Sequence, residues 1–169
     1  LLELAGGLRE GRTLKAVIPG GTSTPLVPGD VMMSSVMSYD GMSKIGSMLG
    51  AGSVIVMDDT TCMVKTLERI AEFYYEESCG QCTPCREGTG WLYRVVKRIV
   101  HGEGTQEDLD RLLAVANNIS GNTICALGEA AATPVLSFIK HFEEEFQYHI
   151  DHKCSMVSSS NTSEGQVAL

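Results

Sequence analysis

No apolar run in this chain approaches the roughly 18–20 residues that a membrane-spanning helix needs, so direct membrane insertion is not expected. Basic residues are scarce too: 13 Lys and Arg against 21 Asp and Glu leave a net charge of −8. A phosphate-backbone binder concentrates Lys and Arg on one face, and this deficit argues against nucleic acid as a partner. The motifs of common hydrolases and nucleotide binders are also missing. There is no Ser-His-Asp order, HExxH or Gly-x-x-x-x-Gly-Lys-Ser/Thr loop, and Ile18-Pro-Gly-Gly-Thr-Ser-Thr-Pro25 lacks the lysine a phosphate loop requires. His101, His141, His149 and His152 follow or lie on amphipathic segments and read as surface residues. Leu1-Leu2-Glu3-Leu4 carries no methionine, basic stretch or cleavage site, and no targeting signal is expected.

What is present divides into two halves. Residues 1–58 are rich in glycine and β-branched residues, and Leu14-Lys-Ala-Val-Ile18 and Ser53-Val-Ile-Val-Met57 read as short strands between Gly, Pro and Asp turn signals. Leu1–Ala5 before Gly6-Gly7 reads as the last turns of a helix whose start lies outside the chain. Two strands and a severed helix make an incomplete sheet. From about Thr60 the periodicity becomes helical. Leu67, Ile70, Ala71 and Tyr74 mark a helix over 64–77; Trp91, Leu92, Val95, Val96, Ile99 and Val100 mark another over 88–101. Thr105-x-x-Asp108 starts a third, with Leu109, Leu112, Leu113, Ala116 and Ile119 on one face. Thr133-Pro134 starts a fourth, carrying Val135, Phe138, Ile139, Phe142 and Phe146. Four amphipathic helices predict a bundle over 59–151, and the polar, aperiodic residues of 152–169 predict a disordered tail.

The chemistry lies in Glu77-Ser-Cys-Gly-Gln-Cys-Thr-Pro-Cys-Arg86, which places thiols at Cys79, Cys82 and Cys85. Thiols this closely clustered do not suit an evenly stapled disulfide scaffold. A metal or cluster site usually needs a fourth ligand, and Cys62, Cys125 and Cys154 are the candidates. Cys62 lies at the far end of the 64–77 helix, about 20 Å from Cys79 at 1.5 Å per residue. Cys154 opens the tail. Cys125, in the turn Ser120-Gly-Asn-Thr-Ile-Cys-Ala-Leu-Gly128, can be brought beside the 78–86 loop by an antiparallel bundle, which makes it the best fourth ligand. Four thiolates suit a [4Fe-4S] cluster or zinc. Structural zinc sites favour two separated Cys-x-x-Cys or His pairs, whereas three evenly spaced thiols on one loop fit three corners of a cubane. Gly80 lets the loop turn, and Thr83-Pro84 can open the next helix with its amides toward an anionic cluster.

These residues, with Ile124-Cys-Ala-Leu-Gly128 and the upstream Leu14-Lys-Ala-Val-Ile-Pro-Gly-Gly-Thr-Ser-Thr-Pro25 and Gly52-Ser-Val-Ile-Val-Met-Asp58, resemble the C-terminal part of the flavin-bearing, NADH-oxidising subunit of respiratory complex I. Diaphorase subunits of NAD-linked hydrogenases and formate dehydrogenases share the pattern. The resemblance implies an α+β fold: a partial β-grasp (soluble-ligand-binding) domain over 1–58, then a four-helix bundle carrying an iron–sulfur cluster. It implies cluster ligands Cys79, Cys82, Cys85 and Cys125, with Ala126 and Leu127 near the flavin. It also implies a [4Fe-4S] cluster that takes single electrons from FMN after FMN accepts a hydride from NADH. The glycine-rich flavin and nucleotide domain of the family has no counterpart here, so the chain alone is expected to hold the cluster without binding FMN or NADH tightly. The implied partners are a thioredoxin-like [2Fe-2S] subunit and a large iron–sulfur subunit. The implied setting is cytoplasmic, in the peripheral arm of a membrane-bound complex or in a soluble NAD-linked complex. A structural zinc-binding assembly module is the competing class.

Overall fold

The computed structural model describes residue 2 and residues 5–157. The helix expected at the very start and most of the expected tail lie outside the described residues. Strand β1 (Leu14–Ile18) is central in an antiparallel sheet of order β2-β1-β3, flanked by β2 (Val27–Pro28) and β3 (Ile55–Asp58). Both strands expected from the sequence form, the second starting two residues later than expected and ending one later, at Asp58. The two-residue β2 carries no periodic signal of its own, and its pairing of Val27 with Val17 and Pro28 with Ala16 sets it. Two short helices also lacked a sequence signal: α1 (Gly29–Met33) and α2 (Tyr39–Lys44). Helices this short form through packing rather than propensity.

Period-two alternation places the sheet between two cores. Ala16 and Ile18 face the long helices, while Val17 packs with Val27, Met32 and Met42 on the side of α1 and α2. Between Leu14 and Ala16 the register slips, pairing Leu14 with Asp58 and Ala16 with Met57, which makes Lys15 the extra residue of a bulge. Its ammonium donates to the Thr61 carbonyl at 2.7 Å and pairs with Glu145 at 2.5 Å, joining sheet to helix.

The helical half comprises α3 (Met63–Glu76), α4 (Thr83–Val100), α5 (Gln106–Ile119) and α6 (Leu127–His152). Helix α3 packs on α4 and α6, α4 on α5 and α6, and α5 on α6, around one apolar core. Thr105 and Asp108 form the reciprocal capping box that the sequence predicts. Two expectations are corrected. Trp91 is not core but 55% exposed, because Gly90 beside it is the residue that packs, against Tyr75. Helix α6 starts at Leu127 rather than Thr133, so Pro134 is buried inside it and the chain departs from helical dihedrals only at Phe142 (φ −135°, ψ 30°). Among the described residues no helix is long and apolar enough to cross a membrane.

Candidate metal centre

Helix α3 ends at Glu76, and six residues later Cys82 is the N-cap of α4, with Pro84 in its first turn. The short link doubles back at Gly80, whose φ of +74° favours glycine. The Ser78 hydroxyl lies 3.2 Å from Cys85 Sγ and accepts from the Gly80 amide at 3.4 Å. Arg86 closes the link from outside, donating to the Gly80 carbonyl at 3.2 Å and to Thr83 Oγ1 at 3.3 Å, and it pairs with Glu87 at 3.0 Å. Its charge is therefore partly neutralised and its guanidinium serves as a brace. Cys85, 5% exposed, is fixed on the first turn of α4, where Thr89 Oγ1 donates to its carbonyl at 2.8 Å. Cys82 is half-buried and Cys79 exposed. No side chain caps α4, which leaves its first-turn amides toward the three-thiol loop.

The second loop is built as firmly. Beyond α5, the Glu129 carboxylate accepts from the Ser120 hydroxyl at 2.7 Å and from the Gly121 amide. The Ser120 hydroxyl, then the Gly121 amide, hold Glu129 below the ordinary carboxylate range. Thr123 donates to the Cys125 carbonyl at 2.9 Å and presses against Gly128, where any Cβ would collide with the Thr123 side chain. Ile124, Cys125 and Ala126 are exposed, and Leu127 is half-buried at the start of α6.

The two loops share one end of the helices. Gly88, one turn beyond Cys85, faces the last residue of α5: a Cβ there would meet Ile119 Cδ1 at 2.7 Å. Short links between packed neighbours make successive helices antiparallel, so the end of α3, the start of α4, the end of α5 and the start of α6 lie together. All six cysteines are free thiols, and among the described residues no three His, Cys, Asp or Glu side chains converge into a coordination sphere. The donor chemistry still fits the implied group. Four soft sulfur donors at one end suit iron–sulfur clusters or zinc and not hard cations. Cys85 is anchored on a helix, Cys82 is that helix's half-buried N-cap, and Cys79 and Cys125 lie on exposed loops, Cys79 directly before the positive-φ Gly80.

The expectation of four surface histidines fails at His149, which is 1% exposed and lies 3.2 Å from Cys62 Sγ through Nε2. A signal for this was available, because Phe138, Phe142, Glu145, Phe146 and His149 recur at helical spacing along α6. Glu129 and Gly88, which shape the site without touching a thiol, had no sequence signal.

Residues 65–149 match the family described as the NADH-ubiquinone oxidoreductase-F iron–sulfur binding region. An NADH-quinone oxidoreductase subunit of Rhizobium meliloti is 52% identical over 147 residues, covering 86% of this chain and 34% of that protein. Its counterpart in Mycobacterium tuberculosis is 48% identical over 151 residues, covering 89% of the chain and 34% of the relative. The chain thus spans about a third of the length of these curated relatives. Among solved structures, a NAD+-reducing [NiFe]-hydrogenase in the H2-reduced state aligns with a TM-score of 0.77 and 28% identity, covering 89% of this chain and 25% of the other.

Proposed function

We propose, for a chain that belongs to the family of the NADH-ubiquinone oxidoreductase-F iron–sulfur binding region, that it is the cluster-bearing electron relay of an NADH-oxidising subunit. Cys79, Cys82 and Cys85 from the first loop and Cys125 from the second hold the cluster. When bound, a [4Fe-4S] cluster accepts and releases one electron at a time. The thiols supply the ligands; Arg86 and Glu129 hold the two loops in shape, and Cys85 is the one ligand buried in the first turn of α4. The observation that supports this best is the placement of two firmly braced cysteine loops at the same end of the helices.

The exposed Ile124-Cys125-Ala126 surface is where the flavin of the parent protein approaches, with Ala126 and Leu127 as its neighbours. FMN and NADH belong to a domain of the parent protein beyond these residues, and electrons leave toward a thioredoxin-like [2Fe-2S] subunit and a large iron–sulfur subunit. We read residues 1–58 as a partial β-grasp domain, 59–151 as a four-helix iron–sulfur bundle and 152–169 as a tail. The working setting is the cytoplasmic peripheral arm of a membrane-bound complex. The likeness to a NAD+-reducing hydrogenase supports a diaphorase subunit as a second reading, but relatives near 50% identity favour the quinone-linked one.

Elemental analysis of protein purified without oxygen tests the reading. It should find about four irons per chain, with broad visible absorption that bleaches on reduction. Zinc in place of iron would make the chain a structural assembly module. Cys125→Ser should lose the cluster and Cys154→Ser should keep it; equal loss in both would remove Cys125 as the fourth ligand.

A further inference from the structure

The solvent-facing side of α4 carries Trp91, Arg94 and Arg98, spaced three and then four residues apart on one face. Trp91 is the chain's one tryptophan, and more than half of it is exposed. Gly90 beside it leaves a hollow that two neighbours share: a Cβ there would meet the Tyr75 ring at 2.9 Å and Arg94 Nη1 at 3.0 Å. Tyr75, itself exposed at the end of α3, stacks on Tyr93 with ring centroids 5.9 Å apart. The Tyr93 hydroxyl is fixed in turn, donating to Glu72 at 2.7 Å and accepting from Lys97 at 3.1 Å. Trp, Tyr and Arg are the residue types that carry most of the energy of protein–protein contacts, and aromatic rings held in place lose little freedom on docking.

Charge says what kind of surface fits. Among the described residues, Arg9, Arg12, Arg69, Arg86, Arg98 and Arg111 each pair with a carboxylate at 2.9–3.7 Å. Arg94 alone among the arginines has neither an ion pair nor a hydrogen bond to a described residue, in a chain where acidic side chains outnumber basic ones. The nearest acids are otherwise engaged. Glu87, one turn before Trp91, pairs with Arg86 at 3.0 Å, and Glu72 holds Tyr93 and meets Arg69 at 3.6 Å. The exposed Glu76 and Glu77 follow Tyr75 at the end of α3, on the side of the thiol loop. Along α4, away from that loop, the surface therefore runs acidic, aromatic, then basic. A planar guanidinium left free beside an exposed indole matches a carboxylate set beside an apolar recess.

We propose that this face of α4 docks a partner protein that takes the Trp91 indole into an apolar recess and sets a carboxylate against Arg94. On the electron-relay reading, on which the partner's identity rests, the occupant is the iron–sulfur protein that receives the electron. Trp91 lies only about 9 Å along the helix from Cys85 at 1.5 Å per residue, so a protein seated there lies beside the thiol loop.

The test uses the parent complex, isolated through a tag on the subunit that contains this chain, with iron and docking measured separately. Trp91→Ala and Arg94→Glu alter exposed positions outside the core and the cysteine loops, so iron per chain and visible absorption should stay at wild-type values. In both variants the electron-accepting subunit should dissociate on the order of thirtyfold faster. Arg94→Lys should hold it better than Arg94→Glu, and carbodiimide treatment of the R94K complex should join position 94 to an Asp or Glu of that subunit, read by mass spectrometry. Wild-type dissociation in both W91A and R94E, or a cross-link confined to the same subunit or to a second copy of it, would overturn the proposal. Iron missing from wild type would sink the relay reading instead, with the dissociation rates still deciding the docking. Should the variants fail to assemble, hydroxyl-radical footprinting of wild type decides: Trp91 modified about tenfold more slowly in the complex than in the isolated parent subunit supports docking, and equal modification overturns it.

Discussion

Asp58 shows how a residue legible only as a turn marker becomes a charged seam. It is 6% exposed, accepts from Arg9 Nη2 at 2.9 Å, and takes the Thr60 hydroxyl and amide at 2.6 and 3.0 Å. Burial acts to raise its carboxyl; the Thr60 hydroxyl and amide, then Arg9, outweigh it and hold Asp58 below the ordinary range. With the folded value depressed, the unfolded chain binds the proton first as pH falls. The contribution to stability is therefore complete above the unfolded carboxylate value of about 3.9 and is lost as pH drops through the folded value. Urea unfolding followed from neutral pH into that acid range should show wild type losing stability, whereas Asp58→Asn should start lower and fall less. An acid limb of equal steepness in both would show that Asp58 carries none of it.

Among the elements, α5 and α6 mark the limits of local pattern. Helix α5 starts where its capping box says, with the Thr105 amide donating to Asp108 at 3.0 Å and the Asp108 amide donating to Thr105 Oγ1 at 3.3 Å. Asp108 is fully buried and also meets Arg98 at 3.5 Å and Arg111 at 3.3 Å. Thr105→Ala should cost about 1 kcal/mol in urea unfolding with helix content unchanged, and a variant as stable as wild type would show the box to be ornamental. Helix α6 disregards its own signal. Thr133-Pro134 is a good local start, but the apolar stripe begins earlier, with Ala131 and Ala132 buried in the shared core. Ser137 reinforces the interior proline turn: its hydroxyl donates to the Pro134 carbonyl at 3.2 Å and accepts from the Leu26 amide at 3.2 Å.

Across the whole molecule, the sheet and helices are joined by a few polar contacts between apolar surfaces. Thr22 and Tyr74 hydroxyls lie 3.0 Å apart, Leu26 binds Ser137, and Lys15 meets Glu145, whose side chain is only 7% exposed. Lys15→Met would strand that carboxylate without a counter-charge, an effect of about 3–5 kcal/mol. Urea unfolding of Lys15→Met, Glu145→Met and the double variant should give a double loss well short of the sum. Strict additivity would mean that the two charges do not act together.

The sequence by itself determined what rests on neighbours within a few residues: the apolar stripes of α3, α4 and α5, the capping box of α5, strand β1 and the three-thiol loop. Spacing and side-chain chemistry act locally there, so one-dimensional pattern suffices. The tertiary structure decided the pairing that makes β2, the packing that makes α1 and α2, the early start of α6, the burial of His149 against Cys62, and the close approach of Gly88 on α4 to Ile119 at the end of α5. Each of these depends on contacts between residues far apart in the chain, where burial and hydrogen-bond satisfaction outweigh local preference.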